Sequence, residues 1–244
     1  FSISSISESQ KELMFMMAFM PVSGIDEKIF FEFFKLENHN DLRYLIDNGW
    51  ISEQEGTFRR ISVHPVIASV VIDDIRGNED IAKTVYENVI ESMLFWSNRE
   101  DIKIDELFQV CNSLALQTRE YNINHISAAD YMIRYNDCFA KYGKEDERRN
   151  LLKYAIDVYN QVYSENEYAA IRENAYVRYI ESINDIEHTE EVRDTCKRHL
   201  KLAKKNKDLY MMLQWYLMLY YASRIRNNIA DDISLMFCIY FLKN

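Results

Sequence analysis

His64 stands between an alternating apolar segment, Ile61-Ser62-Val63, and Pro65, a residue suited to the first position of a helix. A histidine just ahead of a helix N-terminus lies where unpaired N–H groups and the helix dipole attract an anion, and its imidazole can donate to a phosphate oxygen. The plainer alternative is a side chain that bridges backbone groups at the same junction. On residue type alone both readings stay open. The remaining titratable residues carry less chemistry. His39, His125, His188 and His199 stand in no nucleophile motif with a serine, cysteine or carboxylate, and no H-E-x-x-H run occurs. Cys111, Cys138, Cys196 and Cys238 lie far apart, without a C-x-x-C pair or a Cys/His cluster at ligand spacing, and read as reduced core thiols. Asp73-Asp74 and Asp231-Asp232 read as a helix end and a helix start. No catalytic residue and no metal ligand is assigned, and the chain alone is not expected to be an enzyme. It holds neither G-x-x-x-x-G-K-[ST] nor G-x-G-x-x-G, so no nucleotide cofactor is expected in this chain.

The elements that position His64 follow from local signals. Ser7-x-x-Gln10 has the spacing of a capping box and precedes Leu13, Met14, Met16, Met17 and Met20, which predicts a first helix. Pro21 and Gly24 stop it. Asp26 can cap a second helix carrying Ile29, Phe30, Phe33 and Phe34, and Asn40 or Asp41 a third carrying Leu42, Leu45 and Ile46, with Gly49 as its C′ residue. The period then changes. Trp50-Ile51 and the run Phe58 to Val63 flank a polar turn, Glu53 to Gly56, and predict a short hairpin. Pro65 opens a fourth helix through Val66, Ile67, Val70, Val71 and Ile75. Three helices, a β-wing and a closing helix make a winged helix over residues 1–77.

Composition supports helix everywhere else. There are 5 glycines and 2 prolines in 244 residues, too few to turn the corners of a sandwich or barrel, and 48% of residues are apolar, enough to fill a core. The net charge of −10 opposes attraction to a phosphate backbone. By segment the balance is roughly −5 for residues 1–77, −5 for 78–123, −3 for 124–185 and +3 for 186–244. The candidate recognition helix, Asn40 to Asn48, offers only Arg43 beside two aspartates, and Arg59 and Arg60 on the wing are the only basic pair there. Those three arginines are the possible DNA contacts, and nucleic acid is not the expected partner. The most apolar stretches, Leu209 to Ala222 and Ile233 to Leu242, fall short of the ~20 residues of a membrane span, and a cytoplasmic chain without membrane contact is expected. The chain opens on Phe1 and its last predicted helix, Ile233 to Leu242, is apolar almost all round. Both features predict a piece of something longer, with further repeats after it.

The run Leu45-Ile46-Asp47-Asn48-Gly49-Trp50-Ile51, the variable wing, and Ile61-Ser62-Val63-His64-Pro65-Val66-Ile67 together resemble the winged-helix domain of STAND signalling NTPases, the class that includes the NB-ARC proteins. The resemblance covers about a third of the chain. It implies that the winged helix packs on an upstream nucleotide-binding domain, and that His64 matches the histidine that approaches the phosphates of bound ADP and holds the resting state closed. The family's familiar Met-His-Asp form reads Val63-His64-Pro65 here. ADP or ATP is thereby implied for a full-length parent, not for this chain.

Beyond residue 77 the pattern is helical throughout. Asp80 to Trp96 and Asp105 to Arg119 form a bridging pair over residues 78–123. Hairpin-like units then begin near Ile126, Glu167 and Asp208, roughly 41 residues apart, with second helices near Glu147, Thr189 and Ile229. Leu152 to Tyr159 and Cys196 to Ala203 make residues 124–244 resemble degenerate tetratricopeptide repeats of the longer variety that often follows STAND domains. The fold class expected is mainly α: a winged helix followed by an α-solenoid of hairpins, each burying a face on its neighbour. Such an array implies a protein or peptide ligand. The tyrosines from Tyr154 to Tyr221 can line a groove for one, and at helical spacing most are ordinary packing. Arg193, Lys197, Arg198, Lys201, Lys204, Lys205 and Lys207 favour an acidic partner, although a charge run on a helix is usually a solvated face. The expected function is therefore the regulatory or sensor part of a STAND-type signal-transduction ATPase. The alternative is a winged-helix transcription regulator that binds DNA under control of the repeats, and a third reading is a scaffold.

Overall fold

A computed structural model describes residues 5–36, 39–54, 56, 59–96, 104–139, 142, 145–164, 168–183 and 188–225. Among these residues are eleven α-helices and three short strands, divided between two compact units, 1–142 and 143–244. No helix among them is long and apolar enough to cross a membrane. Phe58, Glu167, the second helix expected near Ile229, Cys238 and the apolar run Ile233 to Leu242 lie outside the described residues.

The first unit begins with α1 (Glu8–Ala18), whose capping box is formed in full: Gln10 N donates to Ser7 Oγ at 3.3 Å and Ser7 N donates to Gln10 Oε1 at 3.0 Å. After it come β1 (Ile25–Asp26), α2 (Glu27–Phe33), α3 (His39–Asp47), β2 (Ile51–Gln54), β3 (Arg60–Val63) and α4 (Pro65–Arg76). The strands make one antiparallel sheet in the order β1-β3-β2, with Ile51 opposite Val63, Glu53 opposite Ile61, and Ile25 opposite Ile61. This is a winged-helix arrangement: helix, strand, two helices, then a hairpin that brings its second strand between the other two.

Strand β1 is the part that the residue pattern does not announce. It is two residues long, too short for alternation to register, and it exists because Gly24 precedes it with φ +80°. A Cβ at Gly24 would stand 2.9 Å from the carbonyl oxygen of Ile61, so only glycine lets the chain approach β3 this closely. Asp26 then caps α2 through Ile29 N at 3.1 Å. Helix α3 starts at His39, one residue ahead of the expected caps, so Asn40 and Asp41 lie in its first turn. Asp41 instead accepts from Gln10 Nε2 at 3.1 Å and ties α3 to α1. At its other end Gly49, φ +75°, donates to Ile46 O and Trp50 N donates to Leu45 O, each at 2.9 Å, the paired bonds of a Schellman stop.

Helices α5 (Glu79–Trp96), α6 (Ile104–Glu120) and α7 (Ile126–Phe139) complete this unit. Helix α5 packs against α1, α2, α4, α6 and α7, so the core runs without a break from Met14, Phe30 and Ile72 to Tyr86, Val89 and Met132, all buried. Thr118 Oγ1 donates to Leu114 O at 2.7 Å, which leaves its oxygen to accept from Tyr86 OH, also at 2.7 Å, and Tyr131 OH donates to Cys111 O at 2.6 Å. Each buried hydroxyl here has a partner, as burial demands. The roughly 41-residue period groups α7 with the array, whereas among the described residues it packs chiefly on α5 and α6.

In the second unit α8 (Glu145–Val162), α9 (Ala170–Ile183), α10 (Thr189–Asn206) and α11 (Leu209–Ile225) pack as consecutive pairs. The closest pairings are α8 with α9 and α10 with α11, and α11 also lies on α9. Val177, Ile180, Val192, Cys196, Ala203, Met211, Trp215 and Leu219 make the shared core of α9, α10 and α11. Helix α10 ends at Lys207 in the left-handed conformation, φ 58°, and Asp208 N donates back to Ala203 O at 3.1 Å. Cys111 and Cys196 are buried free thiols, and burial pushes Cys196 up to about 12.

Candidate functional site

His64 is the N-cap residue of α4, with extended backbone (φ −60°, ψ 135°) and Pro65 beside it in the first turn. Its Nδ1 accepts from Val66 N at 3.3 Å. That bond assigns the tautomer: with Nδ1 an acceptor, the neutral ring carries its hydrogen on Nε2, at the edge turned away from the helix. The two readings of this residue therefore coexist in one geometry. The imidazole bridges the backbone at the helix start and still presents an N–H outward. His125 makes the same bond to Ser127 N, at 3.2 Å ahead of α7, which shows that the capping part of the role is not peculiar to His64. What is peculiar to His64 is its surroundings. Val66 and Val70, one turn apart on α4, are 64% and 54% exposed.

The three arginines are placed differently from one another. Arg43 is exposed on α3. Arg59 is held by two carboxylates: Nη1 lies 2.9 Å from Glu27 Oε2, while Nε and Nη2 donate to the two oxygens of Glu53. The hydrogen bond from Arg59 holds the Glu53 carboxyl below its ordinary range, and Glu53 in turn raises Arg59. Arg60 Nη2 donates to Gly24 O at 2.6 Å. Glu27 also faces His39 Nδ1 at 3.3 Å, and His39 stacks on Phe31 with ring centroids 3.9 Å apart. These side chains tie the wing to α2 and α3, and their positive charge is matched locally by carboxylates or carbonyls. Arg43 acts electrostatically on the same Glu53 that Arg59 holds, and Arg60 lines a small recess with Gly24 and Asp26.

A second polar constellation lies in the other unit, where residue-by-residue reading assigned nothing. Glu173 on α9 is fully buried, and its carboxylate faces His199 Nδ1 on α10 at 2.8 Å and accepts from Trp215 Nε1 on α11 at 3.2 Å. One side chain from each of three successive helices thus meets in the core. A carboxylate accepts only, so Nδ1 of His199 carries a hydrogen. Its other nitrogen, Nε2, is buried and has no hydrogen-bond partner among the described residues. His199 lies against Tyr176, ring centroids 4.1 Å apart, and Arg198 stands over the Tyr176 ring, its Cζ 5.9 Å from the centroid. Arg172, also buried, donates from Nη1 to Tyr163 O at 3.2 Å and Ser164 O at 2.9 Å, the carbonyls that follow α8, where a cation suits the helix end.

Of these side chains, His199, Tyr176, Arg198 and Arg172 border a recess of about 250 Å³ between α8, α9 and α10. A signal for the cluster was present in the sequence. Glu173 falls four residues before Val177 and seven before Ile180, and His199 falls three after Cys196 and four before Ala203, so both sit on stripes otherwise reserved for core residues. A titratable residue on such a stripe must find a partner inside. No group of three potential metal ligands gathers among the described residues. No protein-family model, no curated protein and no solved structure matches the chain.

Proposed function

We propose that this chain is the regulatory and sensor part of a STAND-type signal-transduction ATPase, in which the winged helix packs on a nucleotide-binding domain and the helical pairs take up a protein or peptide. The observation that carries this reading is the α4 N-terminus: a histidine whose Nδ1 is tied to Val66 N and whose Nε2–H is left to donate, beside the uncovered Val66 and Val70. An exposed donor at a helix start suits a phosphate, and adjacent uncovered apolar side chains suit a packed domain around it. The resemblance of Leu45 to Ile51 and Ile61 to Ile67 to the family's winged helix supplies the identity of that domain and the ADP or ATP it would hold.

The test is His64→Ala in a full-length protein carrying the nucleotide-binding domain. Loss of the donor should speed ADP release roughly tenfold or more, as expected for a lost charge-assisted hydrogen bond of ~1.5–3 kcal/mol, and raise basal activity. Unchanged ADP retention would overturn the reading. The transcription-regulator alternative makes an opposite forecast, retardation of a defined duplex at moderate salt that Arg43, Arg59 or Arg60 substitution abolishes. With Arg59 and Arg60 engaged in the wing, no specific contact favours it.

A further inference from the structure

We propose that the recess between α8, α9 and α10 is a binding site for a small organic oxyanion, a phosphate monoester or a carboxylate of similar size. The inference is independent of the winged-helix reading and adds a small-molecule ligand to the half of the chain for which a macromolecular one was proposed above.

Three features carry it. First, His199 lines the recess with a buried Nε2 that has no partner among the described residues, while its Nδ1 is committed to Glu173. Nearly every buried polar atom in a folded protein is satisfied, so an orphan at a cavity wall marks a place where something else binds. Second, the charge bordering it among the described residues is of one sign. Arg172 and Arg198 line the recess with His199, and no described residue that lines it is a carboxylate. The carboxylate that does lie near, Glu173, is spent on Nδ1, the far side of the imidazole from the recess. Third, size and surface set the ligand class. At about 250 Å³ the space is larger than a bare phosphate or carboxylate group needs, and below the ~300–1,000 Å³ typical of drug-sized sites. Tyr163 and Tyr176 border it, and Asn160, which donates to Tyr176 OH at 3.0 Å, fixes one of them. Aromatic walls beside a cationic end fit a compact body attached to one oxyanion group.

Arg198 contributes differently from its neighbours. It is exposed, carries no ion pair among the described residues, and sits over Tyr176. Guanidinium recognises phosphate and carboxylate through two parallel N–H donors, so Arg198 is the residue free to swing onto the ligand while His199 and Arg172 stay fixed.

The experiment is a titration of the whole 244-residue chain with phenyl phosphate, benzoate and inorganic phosphate, followed by calorimetry and by amide and indole NMR shifts. Phenyl phosphate or benzoate should bind saturably, shift the Trp215 indole resonance, and outcompete inorganic phosphate. Preference between the first two distinguishes a phosphate from a carboxylate ligand. Arg198→Ala, an exposed change that leaves the helical signal and melting midpoint alone, should weaken binding at least tenfold, and so should His199→Gln where it remains folded. Absence of saturable binding by all three anions would overturn the proposal. So would binding that Arg198→Ala leaves unchanged. Neither result touches the role of His64, because no nucleotide-binding domain takes part in the measurement.

Discussion

Replacing Glu173 by glutamine keeps the side chain's shape and removes its charge, which isolates what the buried carboxylate does. In the folded chain it faces His199 Nδ1 and accepts from the Trp215 indole, and it is fully buried. The carboxylate takes part in hydrogen bonds with two side chains, and a bond to a charged group contributes roughly 1.5–3 kcal/mol against about 1 kcal/mol between neutral ones. The expected outcome for Glu173→Gln is a loss of unfolding free energy of at least ~1.5–3 kcal/mol, read from urea melts, whereas Trp215→Phe, which gives up only the indole donor, should lose no more than that from hydrogen bonding, apart from packing. A loss under 1 kcal/mol for Glu173→Gln would mean that the imidazole needs no carboxylate. The cluster would then be ordinary core, and its orphan nitrogen would lose the orientation argued above. Solvent-exposed pairs such as Lys28 with Glu32, 3.8 Å apart, make the contrast, since pairs of this kind contribute ~0–1 kcal/mol.

At the level of elements, helix ends are where local chemistry decides structure, and the start of α11 shows it with a pH signature. Asp208 accepts from Met211 N at 2.9 Å and from Tyr168 OH, which fastens α11 to the segment before α9. The backbone N–H of Met211 first, and the tyrosine hydroxyl second, hold the Asp208 carboxyl below its ordinary value, while burial and then Asp208 push Tyr168 up. A carboxyl whose folded pKa is depressed contributes stability that is full above its unfolded value, about 3.9, and is lost as pH falls through the folded value. Asp208→Ala should therefore cost ~0.5–2 kcal/mol at pH 7, with the gap to the parent closing below about pH 4. Asp208→Asn should keep most of the cap and flatten the acid side of the stability profile. Guanidinium melts at several pH values check both, and a gap that persists unchanged at pH 3 would place the effect in packing instead of charge. Ends of this kind were legible in the residues themselves: Ser7 with Gln10, Asp26, Gly49 and Pro65 all act within a few positions of where they stand. The pieces that were not legible depend on distant parts of the chain. Strand β1 is two residues whose only signal is that Gly24 must clear Ile61 O, 37 positions on, and Glu173 meets partners on two later helices. The grouping of α7 with α5 and α6 likewise follows from packing, which no window of a dozen residues contains.

For the whole molecule the governing quantity is charge. With 39 acidic and 29 basic side chains the net is −10, so at low ionic strength the compact state carries self-repulsion that the expanded chain relieves. The local ion pairs pull the other way. Arg59 between Glu27 and Glu53, and Lys35 with Glu91 at 2.6 Å, are attractive and weaken as salt is added. Distance decides which dominates. The Debye length shrinks from ~30 Å at 0.01 M to ~8 Å at 0.15 M, a change that removes long-range repulsion across a domain but barely touches partners in contact. The melting midpoint should accordingly rise between ~0.01 and ~0.15 M sodium chloride, by ~2–4 °C for each kcal/mol relieved. A midpoint that falls instead would show that the contact pairs outweigh the net field. The same field bears on partners: the winged-helix half is negative overall despite Arg43, Arg59 and Arg60, which opposes a DNA duplex, whereas the guanidiniums beside His199 are a local exception in the less acidic half of the chain. An acidic protein surface is thus expected to turn away polyanions while one recess accepts a small anion, and the salt series separates the two, because binding at a recess with contact donors should weaken far less with added chloride than a long-range attraction would.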